Sequence, residues 1–204
     1  MRIFAIGRNY AEHIQELNNE RPDEPVIFTK PDTALIRNGQ PFPHPAFSSD
    51  VHHEIELVLH ICKEGKNIPE AEAGSYFDSI GLGIDFTARD LQQKAKEKGL
   101  PWDLAKGFDG SAPLSDRFLP VSSFPNLASI NFSLSVDGQV KQSGNTSLML
   151  FPFNYIIAYL SRFFTLKPGD LIFTGTPKGV SAVKPGNKLV GFIEQEKMLE
   201  VEIR

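Results

Sequence analysis

A single cysteine, Cys62, stands in a chain of 204 residues. No internal disulfide can form and a cysteine-rich zinc site is excluded, which suits a reducing compartment. There is no basic excess: 21 Lys and Arg face 25 Asp and Glu, for a formal charge of -4. Without a basic footprint, neither nucleic acid nor an anionic membrane surface is an expected partner. No apolar run approaches the length of a membrane span. The apolar stretch after Met1 meets Arg8 too soon to be the core of a signal peptide. These absences point to a cytosolic protein, or to an organellar one numbered after loss of a transit peptide. Low-complexity segments and linkers are also missing, so residues 1–204 read as one domain. What is present is ordinary for a folded protein: 41% apolar residues, 23% charged residues and a mean hydropathy of -0.20. That composition excludes disorder, and a chain of this size can build a core without staples.

Turn formers are frequent, with 16 glycines and 15 prolines, so strands should be short. Strands are expected at Ile3–Ile6, Val26–Lys30, Val51–Ile61 and Tyr76–Asp85. Asp137-Gly138 marks a hairpin between Ile130–Val136 and Gln139–Gln142. Further strands cover Leu171–Thr174, Lys188–Glu194 and Leu199–Ile203, and the two Pro-Gly turns at 168–169 and 185–186 suggest a compact antiparallel C-terminal unit. Pro31–Ser49 reads as loop. A short polar helix covers Tyr10–Leu17, and a second runs from Ala88 to Lys98, opened by a capping-box-like Thr87 and Asp90 and stopped by Gly99. Phe153, Ile156, Ile157, Leu160, Phe163 and Phe164 recur at helical spacing and mark a core helix. Helices are few and scattered, so the class is α+β and β-rich, without a βαβ repeat.

The most informative segment is His52-His53-Glu54-Ile55-Glu56-Leu57-Val58-Leu59. On a strand, Ile55, Leu57 and Leu59 face one way and Glu54 and Glu56 the other, about 7 Å apart. Two carboxylates so close in an apolar segment raise each other's pKa unless a cation compensates. Asp85 ends the apolar strand before Thr87, where a ligand residue or a helix cap is expected. Glu54, Glu56 and Asp85 together form an all-oxygen set that favours Mg²⁺ or Mn²⁺, with Ca²⁺ as the alternative, over zinc. His52 and His53 face opposite ways and cannot share an ion, and His53 is expected on the apolar face. His13 and Glu16 lie three apart on the short helix, where the carboxylate could fix the imidazole tautomer. Lys106 sits among apolar and small residues as an inward-pointing lysine would. Gly81-Leu82-Gly83 is not a dinucleotide fingerprint, and Thr174–Gly179 is not a P-loop. The latter still offers N–H groups and hydroxyls that could hold a carboxylate.

In order along the chain these pieces resemble the fumarylacetoacetate hydrolase family, most closely its short acylpyruvate hydrolase and oxaloacetate decarboxylase branch. The resemblance runs from Gly7-Arg8-Asn9-Tyr10-Ala11-Glu12-His13 through His53-Glu54-Ile55-Glu56-Leu57, Asp85-Phe86-Thr87-Ala88-Arg89-Asp90 and Gly99-Leu100-Pro101-Trp102 to Pro168-Gly169-Asp170 and Thr174–Val180. It implies a mixed β-sandwich roll with a few short helices, usually a homodimer, and Mg²⁺ or Mn²⁺ held by Glu54, Glu56 and Asp85. By the same resemblance His13 and Glu16 form a base dyad on a lid over residues 10–24. Lys106 is an active-site cation, Gln92 a water-positioning amide, and Arg8, Arg89 and Thr176 line the pocket for a 2-oxo acid. The long N-terminal domain of the larger members has no counterpart in these residues, so fumarylacetoacetate is not the expected substrate. The abundance of phenylalanine adds an expectation of a dimer interface.

A carboxylate-rich metal site acidifies water less than a zinc held by histidines, so a separate base is needed for hydrolysis. The expected reaction is metal-dependent cleavage of an acylpyruvate to pyruvate and a carboxylic acid, with oxaloacetate decarboxylation through the same enolate. Two rivals stay open. One is an isomerase, tautomerase or hydratase of 2-oxo dicarboxylates, and the other a non-catalytic module stapled by Ca²⁺.

Overall fold

Fifteen strands and four short α-helices occupy residues 1–17, 20–37 and 39–204, which the computed structural model describes. The chain opens with β1 (Ile3–Gly7), α1 (Ala11–Glu16), β2 (Val26–Lys30) and β3 (Leu35–Arg37). β4 (Val51–His53), β5 (Ile55–Ile61), β6 (Phe77–Ile84) and β7 (Thr87–Ala88) precede α2 (Arg89–Lys98) and α3 (Asp103–Lys106). β8 (Ala112–Leu114), β9 (Leu119–Pro120), β10 (Asn131–Val136) and β11 (Gln139–Asn145) lead to α4 (Phe153–Phe163). β12 (Leu171–Phe173), β13 (Ser181–Ala182), β14 (Lys188–Ile193) and β15 (Glu196–Glu202) complete the order.

The large sheet runs β2-β1-β12-β5-β6-β8-β3, with β9 on β6. It is mixed, because β1 pairs with β12 and β3 with β8 in parallel while the other pairs are antiparallel. A four-stranded antiparallel sheet, β11-β10-β14-β15, packs on it. The main core lies between them: Ile55, Leu57, Leu59, Leu82 and Ile84 meet Phe132, Leu134, Leu189, Leu199 and Val201, and α4 adds Ile156, Ile157 and Leu160. Each of these fully buried side chains contributes about 1.5–3 kcal/mol. Val58, Phe173, Leu114 and Ile3 form a smaller cluster on the other face of the large sheet. β5 is therefore buried on both faces, and Glu56, alternating with Leu57, falls on the side away from the main core.

Several expectations need correction. The strand expected over Val51–Ile61 breaks at Glu54, and β4 leaves for a three-stranded sheet with β7 and β13. Pro31–Ser49 is not all loop, since β3 pairs in parallel with β8. The compact C-terminal unit is only half right. The second Pro-Gly turn feeds β14 of the small sheet, but the first feeds β12, which inserts between β1 and β5 of the large one. No capping box opens α2, because its N-cap is Ala88 and makes no side-chain cap bond. The Asp137-Gly138 hairpin forms with both residues at positive φ, 51° and 79°. Gly99 stops α2 at φ 63°. The aromatic count is mostly core: Phe47 and Phe163 are the phenylalanines exposed among the described residues, so the count is no argument for a dimer. Residues 18 and 19 of the expected lid and residue 38 of the expected loop lie outside the described residues. Among the described residues no helix is long and apolar enough to cross a membrane.

Gly83 has a packing role. It pairs with Glu56, and a Cβ there would stand 2.5 Å from the Phe173 ring. Overpacking of that kind costs about 1–3 kcal/mol. Gly83→Ala is expected to lower the unfolding free energy by that amount, read as a lower urea midpoint at unchanged m, and an unchanged midpoint would show that the ring yields freely.

Candidate active site and metal centre

Strand register assembles the carboxylates. Antiparallel pairing sets Ile55 against Ile84 and Glu56 against Gly83, and the Asp85 N–H donates to the Glu54 carbonyl at 2.8 Å. Glu54, Glu56 and Asp85 are all buried, and each offers an oxygen within 4.8 Å of the others. Three cations surround them. Lys106 Nζ donates to Glu54 Oε2 at 2.8 Å, to Asp85 Oδ2 at 2.6 Å and to Thr87 Oγ1 at 2.6 Å. Arg89 Nη2 donates to Glu54 Oε1 at 2.5 Å. Lys30, with a side chain fully buried, stands 2.8 Å from Asp85 Oδ1 and also bonds the Lys106 carbonyl and the Ser111 hydroxyl.

These contacts are not shared evenly. Burial works against the charge of Glu54, but Lys106 and Arg89 outweigh it and hold this carboxyl well below its usual range. Lys106 is likewise raised, burial being overcome by Asp85 and Glu54. Glu56 has no such cation beside it. Burial first, then the charges of Asp85 and Glu54, push it well above the ordinary carboxyl value, and the Gly175 N–H at 2.7 Å and the charge of Lys106 do not offset this. Asp85 Oδ1 faces the Lys30 ammonium at 2.8 Å and has no further partner among the described residues. Three buried carboxylates that converge within 4.8 Å, one of them bonded to no cation, make an all-oxygen set that fits a hard divalent ion such as Mg²⁺ or Mn²⁺.

His13 stands above this floor, 5% exposed, with Arg8, Glu54, Arg89, Gln92, Trp102 and Lys106 lining the same cavity. Its Nδ1 lies 3.2 Å from Glu16 Oε2. Glu16 Oε1 in turn accepts the Gly179 N–H at 2.9 Å. Burial lowers the His13 pKa, against the pull of Glu54 and Glu16. The imidazole is therefore neutral at neutral pH. Nδ1–H points to Glu16, and Nε2 is left with a free lone pair. Arg89 Nη1 donates to Gln92 Oε1 at 2.7 Å, so the Gln92 amide presents N–H donors to the cavity. Arg8 holds φ 59°, a strained backbone for a non-glycine residue and typical of functional sites.

The structure thus gathers Arg8, His13, Glu16, Glu54, Glu56, Asp85, Arg89, Gln92 and Lys106 around one cavity and its floor. Thr176 is not on that cavity wall. It is 3% exposed, in the segment after β12 whose two ends bond Glu56 through Gly175 and Glu16 through Gly179. Thr174–Gly179 therefore does hold carboxylates, but they are the protein's own. His53 is buried, bonded to Gln142 and Ser181. Three further residues escaped the sequence reading. Lys30 shares the Phe28 face of β2, so alternation alone could have placed it inward. Tyr10 has a buried hydroxyl without a partner, and burial and Glu56 push its pKa far up. Gln142 gives no local signal.

The fumarylacetoacetate (FAA) hydrolase C-terminal family matches residues 2–204. The chain is 44% identical over 192 residues to oxaloacetate tautomerase FAHD1, mitochondrial, of Rattus norvegicus, covering 94% of this chain and 86% of that protein. It is 46% identical over 186 residues to oxaloacetate decarboxylase, mitochondrial, of Dictyostelium discoideum, covering 91% and 85%. The crystal structure of fumarylpyruvate hydrolase from Pseudomonas aeruginosa in complex with Mn²⁺ and pyruvate superposes with a TM-score of 0.93 at 38% identity, covering 100% of this chain and 89% of that one.

Proposed function

The chain belongs to the fumarylacetoacetate hydrolase family, and from that membership we propose that it is a metal-dependent hydrolase cleaving acylpyruvates to pyruvate and a carboxylic acid. The observation that carries this reading is the buried His13 beside Glu16 on the wall of the carboxylate cavity. Glu54, Glu56 and Asp85 would hold Mg²⁺, with Mn²⁺ or Ca²⁺ as alternatives, and the bound ion supplies a Lewis acid for the 2-oxo and carboxylate oxygens and for enolate charge. His13 Nε2 takes the proton of the water that attacks the distal carbonyl, and later returns it to the departing carbon. Glu16 fixes the tautomer and favours the imidazolium that forms. Gln92 donates to an oxygen of the substrate or of the attacking water. Lys30, Lys106 and Arg89 already match the three carboxylates. A divalent ion therefore leaves surplus positive charge, which suits an anionic 2-oxo acid. Counting the metal's ligands alone would have left the site negative.

A second reading draws support from the names of the 44–46% identical relatives: interconversion or decarboxylation of oxaloacetate. Decarboxylation needs no attacking water, and tautomerisation needs a base only at carbon. A panel of acetylpyruvate, longer acylpyruvates and oxaloacetate with Mg²⁺ separates them. Hydrolysis is expected to lead, and activity confined to oxaloacetate would replace it with the second reading.

The pH dependence follows from His13. Protonation disables the base, so hydrolysis falls as pH drops through its pKa. Because burial lowers that pKa, the acid limb of kcat/KM is expected below the ordinary value of 6.5. Glu16→Gln removes a carboxylate that raises it, so the limb should move further toward acid while the rate falls. An acid limb above 6.5, or one that Glu16→Gln leaves in place, would remove His13 from this role.

A further inference from the structure

The cavity around His13 and the carboxylates measures about 30 Å³, room for a water molecule or two. Sites that enclose small ligands run to about 300–1,000 Å³. An acylpyruvate therefore needs further space for its acyl chain, and the wall decides where that space lies. Most of the wall is charged or polar. An apolar chain laid against Arg8, Arg89 or Lys96 would desolvate them with no bond in exchange. The apolar part is Gly7, Leu17, Phe28 and Trp102.

Behind that part lies an open hollow of about 420 Å³. Phe28, Trp102 and Lys106 line both spaces, so the two are one side chain apart. A hollow of about 540 Å³ and another of about 430 Å³ share no residue with the cavity. Lys106 is pinned by its bonds to Glu54, Asp85 and Thr87, which leaves the two rings as the part of the partition that can turn. Their centroids are 6.0 Å apart in a tilted contact at 59°. A Cβ at Gly7 would still stand 3.6 Å from the Trp102 ring, so that ring is loosely backed. Beyond the rings the hollow is lined by Val26, Leu100, Pro101 and Phe164. Val26 shares the Phe28 face of β2 by alternation. Asp103 also lines the hollow and has no ion-pair partner among the described residues. A chain ending in a carboxylate would meet like charge there.

We propose that the hollow lined by Val26, Leu100 and Phe164 is the acyl-chain subsite, reached past the Phe28–Trp102 partition, and that it selects acylpyruvates whose chain is neutral, apolar and longer than acetyl. The inference rests on the acylpyruvate reading above and names the substrate class within it. Phe28 and Trp102 set specificity: they touch the chain and not the reacting atoms.

Pyruvate release from acetylpyruvate, butanoylpyruvate and hexanoylpyruvate at saturating Mg²⁺ is the test. kcat/KM should rise about two- to fourfold for each added methylene. Full burial of one contributes about 0.8 kcal/mol, roughly a factor of four, and the lower figure holds for a chain half covered. The rise should come through KM with kcat level, as uniform binding requires. Val26→Trp fills the hollow: acetylpyruvate should react as in wild type, and hexanoylpyruvate should fall to the acetylpyruvate level. Leu100→Asp, at a position 54% exposed that tolerates a charge, should do the same and serves if Val26→Trp does not fold. Hexanoylpyruvate carrying a carboxylate at its chain end should also lose the gain. Equal kcat/KM along the series in a protein that cleaves acetylpyruvate, or a gain that survives in the variants, would overturn the subsite while the acylpyruvate reading stands. Preference for the carboxylate-ended chain would overturn it as well. Wild-type protein that cleaves no acylpyruvate would overturn both.

Discussion

His13→Ala is expected to lower kcat/KM for acylpyruvate hydrolysis by about 10²–10⁴-fold, the usual weight of a positioned general base. The geometry limits the damage to that step. His13 lies on the cavity wall and is not among the clustered carboxylates, so Mg²⁺ affinity should hold. Glu16→Gln should cost less, since the imidazole remains but loses the charge that fixes its tautomer through the 3.2 Å contact. Decarboxylation of oxaloacetate, which needs no attacking water, should fall less than hydrolysis in both variants. The measurement is steady-state kinetics of both reactions beside a Mg²⁺ titration. Full hydrolase activity in His13→Ala would reduce the dyad to a polar helix face and remove His13 as the base.

Glu56→Gln is expected to have two effects of opposite sign. In the metal-free protein, Glu56 is the carboxyl that burial, Asp85 and Glu54 drive toward its neutral form. A neutral amide in its place removes like-charge repulsion, so the metal-free Tm should hold or rise. Metal binding should suffer, because one of the three anionic ligands is gone. Wild-type protein should gain about 2.7 kcal/mol of stability at Mg²⁺ a hundredfold above its Kd, and Glu56→Gln should gain almost none at that concentration. Activity should vanish with the metal. Thermal unfolding with and without Mg²⁺ checks both signs at once. A variant that loses stability without metal yet keeps the Mg²⁺ response would mean that Glu56 is a structural carboxylate and the ion sits elsewhere.

The limits of the sequence reading follow the range of the interactions. Local chemistry was legible: the helix of Phe153–Phe163, the turn at Asp137-Gly138 and the alternation that sets Glu56 opposite Leu57 all depend on neighbours in the chain. The carboxylate cluster was legible because two members are two residues apart and the third ends the strand that pairs with them. What depended on distant pairing was not. Nothing near Gln142 says that its amide will meet Thr176 across the sheets, and nothing near residues 35–37 says that they will pair with residues 112–114. Thr87 shows the competition directly. Read locally it caps a helix, but in the fold its hydroxyl accepts from Lys106. The third cation was missed for a related reason. Lys30 reads as the polar end of a strand, and only its full burial against Asp85 reveals a third compensating cation.

In the proposed reaction Glu54, Glu56 and Asp85 would hold the divalent ion and His13 would serve as the base that cleaves the carbon–carbon bond of an acylpyruvate. Pyruvate release from acetylpyruvate, followed in the Mg²⁺-loaded protein and again after EDTA, tests it most directly. Stoichiometric pyruvate and acetate are expected with Mg²⁺, none above background with EDTA, and recovery when Mg²⁺ or Mn²⁺ is returned. Steady interconversion of oxaloacetate tautomers with no pyruvate from any acylpyruvate, or pyruvate release indifferent to EDTA, would contradict it.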